Sequence, residues 1–282
     1  MDGSYEYYRK GDLIQKVHYK EGLLDGLYTD YYSDGKIKME RTFTKGKLNG
    51  ILKEYYPDGS LEKEKGYKDG KEHGIDRFYE RGISIPRREY NYFEGVQDGK
   101  QVRNAVRNVP DDYFEVSYYE KGVRVGDYLQ TWANGTIKES GQYENGKKEG
   151  LWIRNYENGN RLTEVTYKDN QPIGETKAFF KDGSLERISI YAEDRTSRIT
   201  KEFFPGTEIV SSEYTYDPDF KEGPYKLYYE DGTLREEGIC ENGYEIYAKL
   251  YYKTGQVKEV YQINSRGRME LIESYDAEGK QL

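Results

Sequence analysis

The sequence predicts an all-β protein, an antiparallel array of stacked β-hairpins with a repeat of about 24 residues. Three observations predict it. Glycines recur at a near-constant spacing along the chain. Aromatic residues recur in phase with them. Asp-Gly and Asn-Gly pairs recur about halfway between. Self-similarity at a period of 20–50 residues marks a repeat architecture.

The anchor column is Gly22, Gly46, Gly70, Gly95, Gly122 and Gly146, continued by Asn170, Asp194 and Asp219, then Gly243 and Gly267. Three places before the anchor stands an aromatic, from Tyr19, Phe43, Tyr67, Tyr92, Tyr119 and Tyr143 through Tyr167, Tyr191 and Tyr216, and the column ends in Cys240 and Asn264. Four places after it stands a second glycine, from Gly26 and Gly50 to Gly174 and Gly223, with Arg198, Tyr247 and Leu271 breaking the column. Ten places after it stand the aromatics read as structural: Tyr32, Tyr56, Trp132, Tyr156, Phe180 and Tyr229. Ala105 breaks that column.

Each repeat also carries a second turn, with Gly35, Gly59, Gly135, Gly159, Gly183 and Gly232 each following Asp or Asn. Asp-Gly and Asn-Gly suit a two-residue hairpin with both residues at positive φ. The expected unit is therefore strand, two-residue turn, strand, then a longer loop around the anchor. With Asp34-Gly35 as the turn, Ser33 faces Lys36, Tyr32 faces Ile37 and Tyr28 faces Arg41. Alternation then puts Tyr28, Asp30 and Tyr32 on one face with Met39, Arg41 and Phe43. That inner face pairs Glu54 with Lys63 and Arg154 with Thr163. The opposite face carries Lys38, Glu40, Glu62, Glu64 and Lys138 and reads as solvated charge.

Composition agrees. The 282 residues are 35% hydrophobic and 34% charged, with mean hydropathy -1.06. Such a chain cannot fill a thick two-layer core. With 32 Tyr it is also not disordered in type, because disordered chains are poor in aromatics. About 11 hairpins form one array over residues 1–282. Their roughly 22 strands at about 4.8 Å span on the order of 100 Å if the sheet stays open. The irregular repeats at 95–122 and 194–219, with Asn108–Asp112 and Phe204-Pro205-Gly206 at their turns, are places where the array can bend. The ends read as atypical caps.

Net charge is -8, with both signs interspersed. Nucleic acid and anionic lipid both need a positive face, so nucleic acid is not expected as a partner and a membrane is disfavoured. The single Cys240 cannot form an internal disulfide. No apolar run reaches about 18 residues, and the start, MDGSYEYYRKGDL, holds no apolar segment. A cytoplasmic protein is expected.

The pattern of Tyr31 to Gly50, Tyr-Tyr-x-Asp-Gly followed by Tyr-x-x-Gly-Lys-x-x-Gly with aromatic and glycine in phase, resembles the bacterial variant of the MORN repeat. The resemblance covers nearly the whole chain. It implies stacked hairpins in an elongated, twisted sheet. In bacteria it also implies association with the antitoxin side of toxin–antitoxin modules, or with surface and secreted proteins. It names the scaffold better than the task.

Catalytic chemistry is not in view, and no enzyme is expected. His18 and His73 occupy different columns, so a shared metal site is not expected. Cys240 replaces an aromatic and reads as a small apolar residue. Neither a G-x-S-x-G elbow nor a phosphate-binding G-x-x-x-x-G-K-[ST] loop occurs. Asp111-Asp112 and Asp217-Pro218-Asp219 read as turn acids. No cofactor or metal is implied.

The first members of the aromatic doublets point away from the inner column. Tyr31, Tyr55, Phe179, Phe203, Tyr228 and Tyr251 are therefore the candidate partner-binding residues, since tyrosine is enriched at interface hot spots. The competing reading makes them packing residues. The sequence best supports a non-catalytic protein-interaction scaffold of antitoxin or immunity type, whose acidic balance suits a basic toxin. The alternatives are a surface or secreted array binding glycan or host protein, and a membrane-lipid-associated scaffold. Oligomeric state is not specified.

Overall fold

A computed structural model describes residues 2–104, 113–193, 197–216 and 221–282. The loop Asn108–Asp112, Ala105 and the acids Asp194, Asp217 and Asp219 lie outside the described residues. The described chain is all-β, with 26 strands and no helix. The pairings described are antiparallel and join strands next to one another in sequence, as in Gly26–Tyr31 against Ile37–Thr44, or strands separated by one two-residue strand, as in Asp12–Lys20 against Gly26–Tyr31 across Leu23–Leu24. Two compact units divide the chain, residues 1–147 and 148–282. Within each unit the strands run as an open meander. Among the described residues, no pairing joins a unit's last strands back to its first.

The two turns of each repeat are the reverse of the sequence expectation. The tight two-residue turns sit at the anchors. Lys45 and Gly46 both have positive φ, 48° and 77°, and Thr44 pairs directly with Lys47. The same holds for Glu21-Gly22, Lys121-Gly122 and Asn145-Gly146. The Asp-Gly turns have three residues. At Ser33-Asp34-Gly35, the Gly35 amide donates to the Tyr32 carbonyl at 3.0 Å, and the Tyr32 amide donates to Lys36 at 2.8 Å. Gly35 has φ 85°, whereas Asp34 is not at positive φ. This is a turn followed by one left-handed residue, the usual three-residue hairpin loop. The reason lies in the Asp side chain. Its Oδ1 accepts the amide two residues on, as in Asp34 from Lys36 at 3.1 Å, Asp58 from Ser60 at 2.9 Å and Asn134 from Thr136 at 2.9 Å. An Asx bond of this kind fixes the turn without placing Asp in the left-handed region.

Register follows from that loop. Tyr28 opposes Arg41 as expected, and Glu54 opposes Lys63. Beyond Asp30 a bulge shifts the ladder by one residue, so Tyr31, not Tyr32, opposes Ile37. The aromatic before each anchor opposes the second glycine: Phe43 lies across from Gly26, Tyr67 from Gly50, and Tyr143 from Gly126. Gly26 has φ 110°, a backbone conformation that side-chain-bearing residues rarely adopt, and a Cβ there would stand 3.4 Å from the His18 Cβ.

Successive hairpins are tied at both edges. On the Asp-Gly edge the column aromatic reaches one repeat forward. The hydroxyl of Tyr32 donates to the Tyr55 carbonyl at 2.6 Å, Tyr56 to Tyr79 at 3.0 Å, Tyr156 to Phe179 at 2.8 Å, Tyr229 to Tyr251 at 3.0 Å, and Tyr252 to Tyr275 at 2.9 Å. On the anchor edge the anchor amide reaches one repeat back, as Gly46 to Leu24 at 2.7 Å and Gly70 to Leu48 at 2.8 Å. Each hairpin thus satisfies the backbone groups its neighbour's turns would leave bare.

The core is thin and lies on the inner face. Its most buried members are Trp152, Val17 and Ala248, with Trp152 only 2% exposed. Between these apolar levels runs a band of cations laid on rings. Arg41 sits 4.1 Å from the Tyr28 ring while pairing with Asp30 at 2.8 Å, and Lys148 sits 3.8 Å from the Trp152 ring. The outer face differs from the expected solvated charge. Lys53, Glu64, Arg77 and Glu89 link across strands, with Arg77 bonded to Glu89 at 2.6 Å and to Glu64 at 3.5 Å.

Candidate functional site

The sequence-predicted contact residues all lie on the outer face, at the strand ends beside the Asp-Gly turns. Tyr31, Tyr55, Phe179, Phe203, Tyr228 and Tyr251 are half-buried. Their position follows from the bulge: the residue after it, Tyr31 or Tyr55, opposes Ile37 or Leu61 across the hairpin. Two of them reach into the charge ladder. The Tyr55 hydroxyl donates to Glu40 at 3.0 Å and Tyr251 donates to Glu237 at 2.6 Å. Burial, and then the bond to Glu40, pushes the Tyr55 phenol up to about 12. Tyr251 is raised for the same two reasons. Tyr79, one repeat beyond Tyr55, is fully buried and donates to Glu64 at 3.2 Å. These rings therefore present an edge to solvent and a hydroxyl to the ladder.

Sequence reasoning missed a second row on the same face. Directly after the second glycine of several repeats stands an exposed aliphatic, Leu27, Ile51 and Ile75 in the first unit and Leu151 in the second, and Ile199 follows Arg198 in the same column. Leu27 is 54% exposed, Ile51 57% and Leu151 54%. Ile190, opposite Ile199, and Ile239 extend the second unit's set. Leu27, Ile51 and Ile75 recur one hairpin apart, about 10 Å at the usual strand spacing. The signal was legible as a column one place after Gly26, Gly50 and Gly74. Between Ile51 and Ile75 the face is kept flat by Gly66, where a Cβ would stand 2.1 Å from the His73 carbonyl oxygen. Each unit thus shows an aliphatic row near the anchor edge, a charge ladder in the middle and a half-buried aromatic row at the other edge. That arrangement suits a broad protein contact, with apolar anchors in a polar setting.

The turn glycines Gly35, Gly59, Gly135, Gly159, Gly183 and Gly232 have φ between 85° and 95°. Of the structural aromatics, Tyr32, Tyr56, Tyr156 and Tyr229 make the edge bonds described above, whereas Trp132 and Phe180 have no hydroxyl to do so. Both histidines are engaged locally. His18 Nδ1 is 3.1 Å from the Ser4 hydroxyl, and the His73 ring lies 5.1 Å from Phe93. Cys240 is half-buried opposite Gly223. Among the described residues, no group of three or more His, Cys, Asp or Glu is placed to hold a metal, and no helix is long and apolar enough to cross a membrane.

The repeat itself can be compared with known families. Four segments match the MORN repeat variant. They are residues 24–45, 48–69, 148–169 and 221–239. Each covers a hairpin of the regular type, and the irregular repeats lie outside them. No curated protein matches the chain. Among solved structures, the chain is similar to the crystal structure of TcdB2-TccC3, at 11% identity over 99% of this chain and 17% of that one, with TM-score 0.18. It is similarly placed against TcdB2-TccC3 without its hypervariable C-terminal region, at 11% identity over 99% of this chain and 18% of that one, with TM-score 0.17. The chain spans less than a fifth of the length of either, and likeness at this level carries no argument about function.

Proposed function

We propose that this chain is a non-catalytic protein-interaction scaffold that binds through its outer face. The observation that carries the reading is the regular exposed row Leu27, Ile51 and Ile75 beside a satisfied charge ladder. Exposed aliphatics repeated in register form a contiguous apolar stripe, and such stripes mark contact sites. Half-buried aromatics on the outer face of each unit, Tyr31 and Tyr55 in the first and Phe179, Phe203, Tyr228 and Tyr251 in the second, add rigid aromatic edges. The partner is a protein with a basic surface, because the scaffold carries net charge -8. An antitoxin or immunity role in the cytoplasm is the finer form of the reading. It rests on the resemblance to bacterial MORN-variant arrays and on that charge.

The test uses the whole chain, recovered from its own cells with its partner retained. Leu27→Ser, Ile51→Ser and Ile75→Ser together should raise Kd roughly 30-fold, about 2 kcal/mol, with the β spectrum and melting midpoint unchanged. A second variant replaces Tyr31 and Tyr55 by Ser, and a third replaces Phe179, Phe203, Tyr228 and Tyr251. Unchanged affinity in stable variants of all three kinds would overturn the outer-face reading.

A further inference from the structure

The inner face of the second unit contains a hollow that the repeat pattern explains. Six places after the anchor, five repeats put an aromatic ring or a leucine on the inner face: Tyr28, Leu52, Tyr128, Trp152 and Tyr225. In two consecutive repeats it is threonine, Thr176 and Thr200. These are the repeats whose anchors are Asn170 and Asp194 instead of glycine. The missing bulk leaves a cavity of about 240 Å³ over the strands between Arg161 and Tyr216.

Its floor is a row of hydroxyls across the sheet. Thr176 opposes Ser189, and Ser189 opposes Thr200. The Ser189 and Thr200 side chains are buried and lie 3.0 Å apart. Two arginines stand at opposite ends of that floor. Arg187 is two residues before Ser189, and Arg198 is two residues before Thr200. Arg198 occupies the column that in most repeats holds the second glycine. It rises between Tyr191 and Tyr216, with its guanidinium 4.6 Å from the Tyr216 ring and 3.5 Å from the Tyr191 hydroxyl. Its Nε is buried without a hydrogen-bond partner. Among the described residues neither guanidinium forms an ion pair. The carboxylate on this face is Glu202, opposite Arg187, and it accepts a bond from Ser212 at 2.9 Å. Elsewhere on the inner face Arg41 is matched by Asp30 and Lys65 by Asp76, while Arg124 is held by the Tyr119 and Tyr143 hydroxyls. Here, in a chain of net charge -8, positive charge is in excess within a walled, hydroxyl-floored space.

We propose that this hollow is a binding site for a small organic oxyanion, a phosphate monoester or carboxylate on a compact ring. The anionic group is held by Arg187, Arg198 and the Ser189 and Thr200 hydroxyls, and the ring lies against Tyr191 and Tyr216. Guanidinium forks and hydroxyls are the usual recognition set for such groups. The volume suits a ligand no larger than a single substituted ring. The site stands independently of the proposed protein contact.

The test titrates the full chain with phenyl phosphate, benzoate and inorganic phosphate, following the arginine Nε–H resonances by NMR at physiological salt. The expected result is a saturable shift of the Arg198 Nε–H, with phenyl phosphate binding more tightly than inorganic phosphate. Arg187→Gln and Arg198→Gln should each weaken binding by about tenfold or more. Thr200→Tyr restores the bulk found in this column at Tyr128 and Tyr225, and should abolish binding with the β spectrum intact. Because it adds a residue the repeat already accommodates, it separates loss of the site from loss of the fold. No saturable shift with any of the three anions at millimolar concentration would overturn the proposal. So would a shift of equal size and midpoint in folded Thr200→Tyr, which would mark attraction to the surface charge alone.

Discussion

Tyr56→Phe removes one hydroxyl and leaves the ring in place, so it isolates the bond that ties one hairpin to the next. The lost partner is the Tyr79 carbonyl, 3.0 Å away and half-shielded by the same ring. A net intramolecular hydrogen bond contributes about 0.5–1.5 kcal/mol, and an orphaned carbonyl in a partly wet setting adds little beyond that. The expected loss is therefore about 1 kcal/mol. Tyr229→Phe removes the equivalent bond to Tyr251. The two sites share no partner, so the double variant should lose about 2 kcal/mol. Phe180 provides the reverse case. It occupies the same column without a hydroxyl, and Tyr156 shows the bond a tyrosine there makes 23 residues ahead. Phe180→Tyr should point a hydroxyl at the Phe203 carbonyl and gain about 0.5–1.5 kcal/mol. Urea denaturation followed by circular dichroism reads all four proteins. The midpoint should move while the slope stays constant, because the surface exposed on unfolding does not change. A slope that falls would mean the array has begun to melt hairpin by hairpin. Midpoints unchanged in Tyr56→Phe, Tyr229→Phe and the double variant would refute the reasoning, by showing that water serves the carbonyls as well as tyrosine does.

Three further outcomes are expected. Gly159→Val forces a β-branched residue to φ 92° and should destabilise by about 1–3 kcal/mol in the same assay. Asp34, Asp58, Asp182 and Asp231 all titrate below the usual carboxylate range, chiefly because each carboxylate accepts bonds from the backbone or hydroxyl two residues on. A lowered folded pKa means stability that is present above the ordinary carboxylate range and lost as pH falls through it. Replacing all four by Asn, as Asn134 and Asn158 already stand, should flatten the acid limb of the stability–pH curve; an unaltered limb would count against the turn carboxylates. Tyr55 titrates near 12, raised by burial and by Glu40. A raised pKa contributes stability below about 10 that is lost as pH rises toward 12, so Tyr55→Phe should unfold later in alkali, measured by tyrosinate absorbance alongside circular dichroism.

Much of the fold was legible because it is written in columns. Phase alone placed the aromatic before the anchor, and the register sets Phe43, Tyr67 and Tyr143 across from glycines that the backbone holds at positive φ. Turn type was not legible from dipeptides. Asp-Gly suits a two-residue turn by propensity, but here the Asp carboxylate is spent on its own backbone, as Ser60, Ser184 and Thr233 show by following each turn glycine and bonding the same Oδ1. The two-residue turns fell to Lys45-Gly46 and Glu21-Gly22, whose first residues have no marked left-handed preference. There the chain direction, fixed by the paired strands, overrides propensity. Of the candidate contact surface, the aromatic row was readable and the aliphatic row was readable in principle as the column holding Leu27, Ile51 and Ile75. The hollow was harder to see, because its sign is a lack of bulk at Thr176 and Thr200 and small polar residues attract no attention in a polar sequence.

That lack of bulk has a different consequence here than in a two-layer protein. Where two sheets pack face to face, replacing a Trp by Thr leaves a closed void whose lining loses its contacts, at a cost of several kcal/mol. In this chain the described strands form a single sheet, so the space vacated at Thr176 and Thr200 is not sealed by a second one. The ladder beneath is unaffected, with Thr176–Ser189–Thr200 kept in register. The edge ties beside it also persist, the Asn170 amide to Lys148 at 3.1 Å and the Tyr156 hydroxyl to Phe179 at 2.8 Å. Stability in such an array is a sum of backbone pairing, edge ties and ring–cation contacts within and between neighbouring hairpins. Two adjacent repeats can therefore give up a large side chain each and keep their place in the sheet. What replaces the side chains need only be polar enough to be wet, which is what threonine and serine are. A site can be made in this fold by subtraction, and Arg198, standing where most repeats hold glycine, is the one large residue added back.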